Sequence, residues 1–186
     1  MNEAEAINRM KAGDISGLQV LVEMHQVQAV QAAALITLDR ALAEDIVQSA
    51  FLRSYERIRQ FDQRRPFRPW FFRMVVNDAI KAAVRRKREV TLDEEGDDSY
   101  RALVERLEAV GEEPEDLLLR EEFTHLVRDA ISKLPPQQRA SIIMRYYLGM
   151  SEQEMSAEMN CAAGTVKWHL HAARQQLRRL LQSWAK

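Results

Sequence analysis

The sequence predicts an all-α fold, with two small helical domains joined by an acidic linker. Three observations carry this. Only six Gly and five Pro interrupt 186 residues. Apolar residues recur every three or four positions almost throughout, and no stretch combines apolar–polar alternation with turn dipeptides, so strands are not expected. Charge is segregated beneath a net value of −1: residues 40–88 carry thirteen basic and five acidic groups, whereas 89–122 carry three basic and fourteen acidic. A length of 186 residues allows one medium domain or two small ones. A single Cys excludes an internal disulfide framework and a Cys-rich zinc module. The acidic start Met1-Asn2-Glu3-Ala4-Glu5 lacks the basic-then-apolar pattern of a secretory leader, and no apolar run approaches membrane-spanning length. A cytoplasmic protein without stable membrane insertion is expected.

Four helices are expected before residue 90, over about 3–12, 15–37, 41–59 and 67–87. Pro66 and Pro69 restrict the residues before them, so 61–66 reads as a loop. The linker is placed at 89–113, where Asp93-Glu94-Glu95-Gly96-Asp97-Asp98 gives a solvated composition. Pro114 suits the first position of a helix that ends at Pro135-Pro136. Another helix follows over about 137–147, stopped by Gly149. Ser151 and Glu154 form a capping box for a helix to Met159. After a turn at Asn160-Cys161-Ala162, the last helix runs from about 163 to 182. The domains are thus 1–88 and 114–186.

A helix of about nine residues, a three-residue turn and a longer helix is helix-turn-helix spacing. In the last helix Val166, Leu170, Ala173, Leu177 and Leu180 form the buried stripe. Trp168, Ala172 and Gln175 point opposite, with Thr165, Lys167, His169, His171 and Arg174 on the flanks. The first half of such a helix can enter the major groove, and Arg178 beyond it would meet phosphate. An exposed Trp168 demands a partner, whether DNA, the other domain or another protein. His169 and His171 read as solvated.

Between Phe61 and Arg88, five aromatic residues are interleaved with basic ones. Arg73, Asn77, Lys81, Arg85 and Arg88 make a basic stripe beside that of Phe72, Val76, Ala79 and Ala83. Such a stripe next to aromatic rings suits single-stranded nucleic acid, cations tracking the backbone while rings stack on bases. Trp70, Phe71 and Phe72 read as core first; Phe61, in the loop, reads as open. In the preceding helix Asp45, Gln48, Leu52 and Tyr55 form a second stripe beside the core seam. It is either a docking face or is covered by the first two helices.

In order along the chain, these segments resemble an extracytoplasmic-function (group IV) sigma factor of bacterial RNA polymerase. Ala43-Glu44-Asp45-Ile46-Val47-Gln48-Ser49-Ala50-Phe51 is similar to the family's polymerase-binding helix. Pro69-Trp70-Phe71-Phe72-Arg73-Met74-Val75-Val76-Asn77 is similar to its minus-ten helix. Leu134-Pro135-Pro136-Gln137-Gln138-Arg139, with Gly164-Thr165-Val166-Lys167 and Arg174, resembles the domain that reads the minus-thirty-five element. The resemblance implies that Asp45, Gln48, Leu52 and Tyr55 dock on core polymerase. It implies that the loop holding Phe61, Arg64, Arg65 and Phe67, with Trp70 and Asn77 beside it, captures a base flipped from the non-template strand. Arg73, Lys81, Arg85 and Arg86 would hold that strand's phosphates. Thr165, Lys167, Trp168, His169, His171, Arg174 and Arg178 would read duplex promoter DNA upstream. An anti-sigma partner is expected by resemblance, and no cofactor or metal. The pattern departs where many members carry Ser-Arg and a further Arg: here stand Trp168-His169 and Ala172, which leaves fewer fixed charges for upstream recognition.

Two alternatives remain at this level. A helix-turn-helix regulator accounts for 135–186 but not for the basic aromatic segment at 61–88. A sigma-like adaptor or decoy without initiation activity needs neither Asn77 nor the basic stripe. Catalysis is not expected, because Cys161 lacks a paired acid and His169 and His171 diverge by about 200° on a helix.

Overall fold

The computed structural model describes residues 1–90 and 124–182, and these are all helix, turn and loop. Helix α1 (Glu3–Lys11) starts at a capping box: Asn2 accepts from the Glu5 amide, and the Glu5 carboxylate accepts from the Asn2 amide at 3.0 Å. It buries Ala6, Ile7 and Met10 against α2 (Ser16–Thr37). That approach is close enough to require Gly17, where a Cβ would lie 2.2 Å from the Ala6 carbonyl oxygen. Helix α2 closes on Leu38 in the left-handed region, whose amide donates to Ala34. Asp39 then caps α3 (Arg40–Arg57) by accepting from the Leu42 amide at 3.0 Å. A 3₁₀ turn (Ile58–Gln60) leads into the Pro-flanked loop, and α4 (Phe67–Val90) follows. Helix α4 thus runs two residues into the stretch expected to be linker. The remainder of that linker, and the expected helix start at Pro114, lie outside the described residues.

The first core is aromatic. Phe71 stacks on Phe51 with ring centroids 4.3 Å apart, and Phe67 stacks on Phe71 at 5.8 Å. Burying such rings helps hold α3 and α4 together, with stacking adding a further increment, while α2 packs on them through Leu21, Ile36 and its alanines.

In the second domain α5 is helical over 124–132, and α6 (Pro136–Ile142) continues through a π-helical turn (Ile143–Tyr147). Helix α7 (Glu152–Glu158) opens on the Ser151–Glu154 capping box that the sequence predicts. A turn through Asn160 leads to α8 (Ala163–Gln182), completing the helix-turn-helix.

The two domains pack on each other, which no periodicity announces. Helices α2 and α4 meet α6, and the interface is stitched by arginines. Arg139 is 5% exposed; its Nε donates to the Ile36 carbonyl at 2.8 Å, and its Nη1 donates to Ser132 and Leu134 carbonyls at 3.1 Å each. Ile36 lies in the last turn of α2, where carbonyls lack helical partners, so Arg139 satisfies an orphan acceptor across the interface. Arg68 Nη1 donates to the Leu148 carbonyl at 3.2 Å while its guanidinium sits over Phe72, and the Tyr147 hydroxyl donates to Gln31.

Candidate nucleic-acid and protein interfaces

Three faces hold the residues singled out from sequence. On α3, Asp45 and Gln48 are exposed and Leu52 is 60% exposed. Tyr55 is half-buried and its hydroxyl donates to the Gly13 carbonyl at 3.1 Å, fastening the α1–α2 turn. The first two helices therefore leave Asp45, Gln48 and Leu52 open and cover part of Tyr55. Gln48 and Leu52 line one wall of a groove between α2 and α3, about 600 Å³ in volume, with Leu18, Val22, Val27 and Val30 opposite. Exposed Val27 and Met24 extend its apolar surface along α2.

The second face is α4 and the loop before it. Arg73, Lys81 and Arg85 are exposed at four-residue steps, with half-buried Asn77 among them. Arg86 is turned away: its Nη1 lies 2.9 Å from Asp39 Oδ2, so it ties α4 to the start of α3 rather than extending the stripe. In the loop, expectation and structure part. Phe61 is 4% exposed, its ring 5.0 Å from Trp70 and 5.8 Å from Phe67, and Phe67 is fully buried. Both rings are packed into the core rather than open to solvent. Trp70 is half-buried against the same pair. What the loop presents to solvent is Gln63, Arg64 and Arg65. Asp62 accepts from the Arg64 amide at 3.1 Å and from its guanidinium at 3.0 Å. Those bonds hold the Asp62 carboxyl below its ordinary value, helped by the charges of Arg65 and Lys11.

The third face is α8. Thr165, Lys167, His171, Arg174 and Arg178 are exposed, and Trp168 is 59% exposed. His169 is not: it joins Val166, Leu170 and Ala173 on the buried stripe at 7% exposure. Position 169 is three residues from Val166, well within the width of an apolar face. Burial pushes its imidazole below the ordinary histidine value, and Nδ1 has no hydrogen-bond partner. His169 is therefore not the solvated side chain that its flank position predicts. Trp168 meets His169 edge-on at 5.0 Å and lines an interdomain cleft of about 520 Å³ with Val84, Pro135 and Pro136.

Sequence reasoning missed Lys11, Arg68 and Glu158. Lys11 Nζ donates to the Phe61 carbonyl at 2.8 Å, across 50 residues of chain. Glu158 is buried beside Arg73, their Oε2 and Nε 3.5 Å apart. Its carboxyl is pushed up to about 7 by burial, with Arg73 opposing and Glu154 adding to the rise. None of these partnerships leaves a local pattern in the sequence.

Comparison with known proteins places the chain in a family. The family model for Sigma-70 region 2 matches residues 21–89, and that for Sigma-70, region 4 matches 124–177. The chain is similar to the ECF RNA polymerase sigma factor SigW of Bacillus subtilis, 30% identical over 178 residues and 95% of either chain. It is 29% identical over 179 residues to the ECF RNA polymerase sigma-E factor of Escherichia coli K12, covering 92% of this chain and 90% of the relative. Two solved structures share the fold at a TM-score of 0.63. One is CnrH in complex with the cytosolic domain of CnrY, 24% identical over 96% of both chains. The other is the sigma factor RpoE with the anti-sigma factor NepR from Bartonella quintana, 22% identical over 88% of this chain and 96% of that one.

Proposed function

The chain belongs to the extracytoplasmic-function sigma factors, non-catalytic initiation factors that bind core RNA polymerase and recognise promoters, and we propose how its surfaces divide that work. The first domain, 1–88, docks on core polymerase through Asp45, Gln48, Leu52 and Tyr55. The observation that carries this is the exposed Leu52 on the wall of an apolar groove, on the bundle that also bears the basic stripe of α4. Desolvating one apolar side chain ringed by polar groups is how a small contact becomes an anchor.

The stripe Arg73, Asn77, Lys81 and Arg85 takes the melted non-template strand, its cations tracking phosphates. Gln63, Arg64 and Arg65 project beside it, where an unstacked base would be met. Phe61, Phe67 and Trp70 form the packed floor under this loop rather than the stacking surface. The second domain, 114–186, reads upstream duplex through Thr165, Lys167, Trp168, His171, Arg174 and Arg178, while Arg86 and His169 serve packing.

The protein works in the cytoplasm, and among the described residues no helix is long and apolar enough to cross a membrane. CnrH and RpoE are each solved with a bound partner, which supports an anti-sigma factor here too. Its natural seat is the groove between α2 and α3, where it would compete with polymerase. Binding of core polymerase by Leu52→Asp, and opening of a minus-ten duplex by Asn77→Ala with Lys81→Ala, test the two halves separately. The first is expected to lose core binding. The second is expected to bind core and fail to open DNA. Loss of core binding by the second pair would overturn the division.

A further inference from the structure

Helix α1 lies outside the segment matched by the region 2 family model, yet it holds the loop that follows α3 at two points. The half-buried Lys11 ammonium donates to the Phe61 carbonyl at 2.8 Å. The Gln63 side-chain amide donates to Asn8 Oδ1 at 2.7 Å. Asn8 and Lys11 sit three residues apart, on one side of the helix. The helix is itself fixed: Ala6, Ile7 and Met10 are buried, and the Tyr55 hydroxyl holds the turn that follows it. The loop has its own internal brace, Asp62 gripping the Arg64 amide and guanidinium. Its first residue is pinned as well by the Phe61 ring, packed between Phe67 and Trp70.

We propose that Lys11 is a positioning residue for promoter opening: by tying the Phe61 carbonyl to α1, it fixes how Gln63, Arg64 and Arg65 are presented to the melted strand. The proposal rests on the reading that this loop meets promoter DNA. A loop that carries base-contacting groups gains affinity from being ordered before the DNA arrives, and gains selectivity because a fixed loop cannot rearrange to accommodate a wrong base. A backbone carbonyl half-removed from water needs a donor, and an ammonium is a strong one. Lys11 touches neither strand; it acts through the loop, with Asn8 as its second fastening.

The test uses the full chain bound to bacterial core polymerase and a library of promoters randomised at the minus-ten element. Lys11→Met keeps the stem and removes the donor; Lys11→Arg restores one. Lys11→Met is expected to slow open-complex formation on the best promoter by about ten-fold, the worth of one charge-assisted hydrogen bond. It is also expected to flatten discrimination among bases, with core affinity unchanged and the thermal midpoint lowered by only a few degrees, and Lys11→Arg to restore both rate and discrimination. Asn8→Ala, which leaves Lys11 in place, should flatten the same base preferences to a smaller degree. A parallel Arg64→Ala, Arg65→Ala variant separates the two ways of failing. If that variant changes opening while Lys11→Met and Asn8→Ala leave rate and base preference intact, the positioning role is wrong. If the arginine variant changes nothing, the loop does not read DNA and the proposal falls with its premise.

Discussion

Arg73, an exposed cation on the proposed promoter-binding face of α4, lies with its Nε 3.5 Å from the buried carboxylate of Glu158 in the second domain. Its Nη2 reaches the Ala157 carbonyl as well, at 3.5 Å. The packed arrangement of the two domains therefore engages a group that the melted strand would need. On the proposed reading, strand binding and domain packing would compete for Arg73, and its partner Glu158 carries a raised pKa.

Glu158 is the first test. Its carboxyl is pushed up to about 7, so the folded protein holds this proton more tightly than the unfolded chain does. Folding is therefore favoured as pH falls through 7 towards the ordinary glutamic acid range, by roughly 1–2 kcal/mol between pH 8 and pH 5. Glu158→Gln removes the buried charge at similar volume. Its urea midpoint should exceed that of the parent at pH 8, and the two should converge near pH 5.

His169 predicts the opposite slope. Burial lowers its pKa, so the folded chain resists the proton that the unfolded chain accepts. The contribution is complete above the ordinary histidine value and declines as pH falls below it. His169→Leu should remove this loss and raise stability most at pH 5, which denaturation curves at pH 5 and pH 8 would register.

Arg139 tests the interface itself. Arg139→Ala strands the Ile36, Ser132 and Leu134 carbonyls, and the expected loss is about 3 kcal/mol. Lys in its place keeps the charge but not the fork, and should recover less than half of that. Urea midpoints would measure both, and increased protease cleavage of the Arg139→Ala chain would report parting of the domains.

Leu52 separates docking from folding. At 60% exposure its replacement by Asp should move stability by no more than about 0.5 kcal/mol. Core polymerase affinity should fall at least ten-fold, readable by competition with the parent protein. Equal affinity would remove α3 from the docking surface.

Much of this architecture is written locally. The stripe Val166, Leu170 and Ala173, the Ser151–Glu154 box and the prolines around the loop each act within a few residues, so periodicity and capping place the described helices to within three positions. Phe61 escaped because a lone aromatic between a 3₁₀ turn and a Pro-flanked loop has no periodic neighbours to reveal its direction. His169 escaped because a flank position of a helix becomes a core position once the apolar face widens. Lys11–Phe61, Arg139–Ile36 and Arg73–Glu158 join residues 50 to 103 apart along the chain. Such pairs depend on how the helices assemble, and the sequence of neither partner records them.

The central claim is tested most directly by multi-round transcription from a genomic fragment library, using bacterial core polymerase with and without this protein. Discrete start sites that appear only when the protein is added, and vanish with Leu52→Asp, are the predicted result. Binding to core polymerase with no new start sites would contradict an initiating role and leave a sigma-like adaptor.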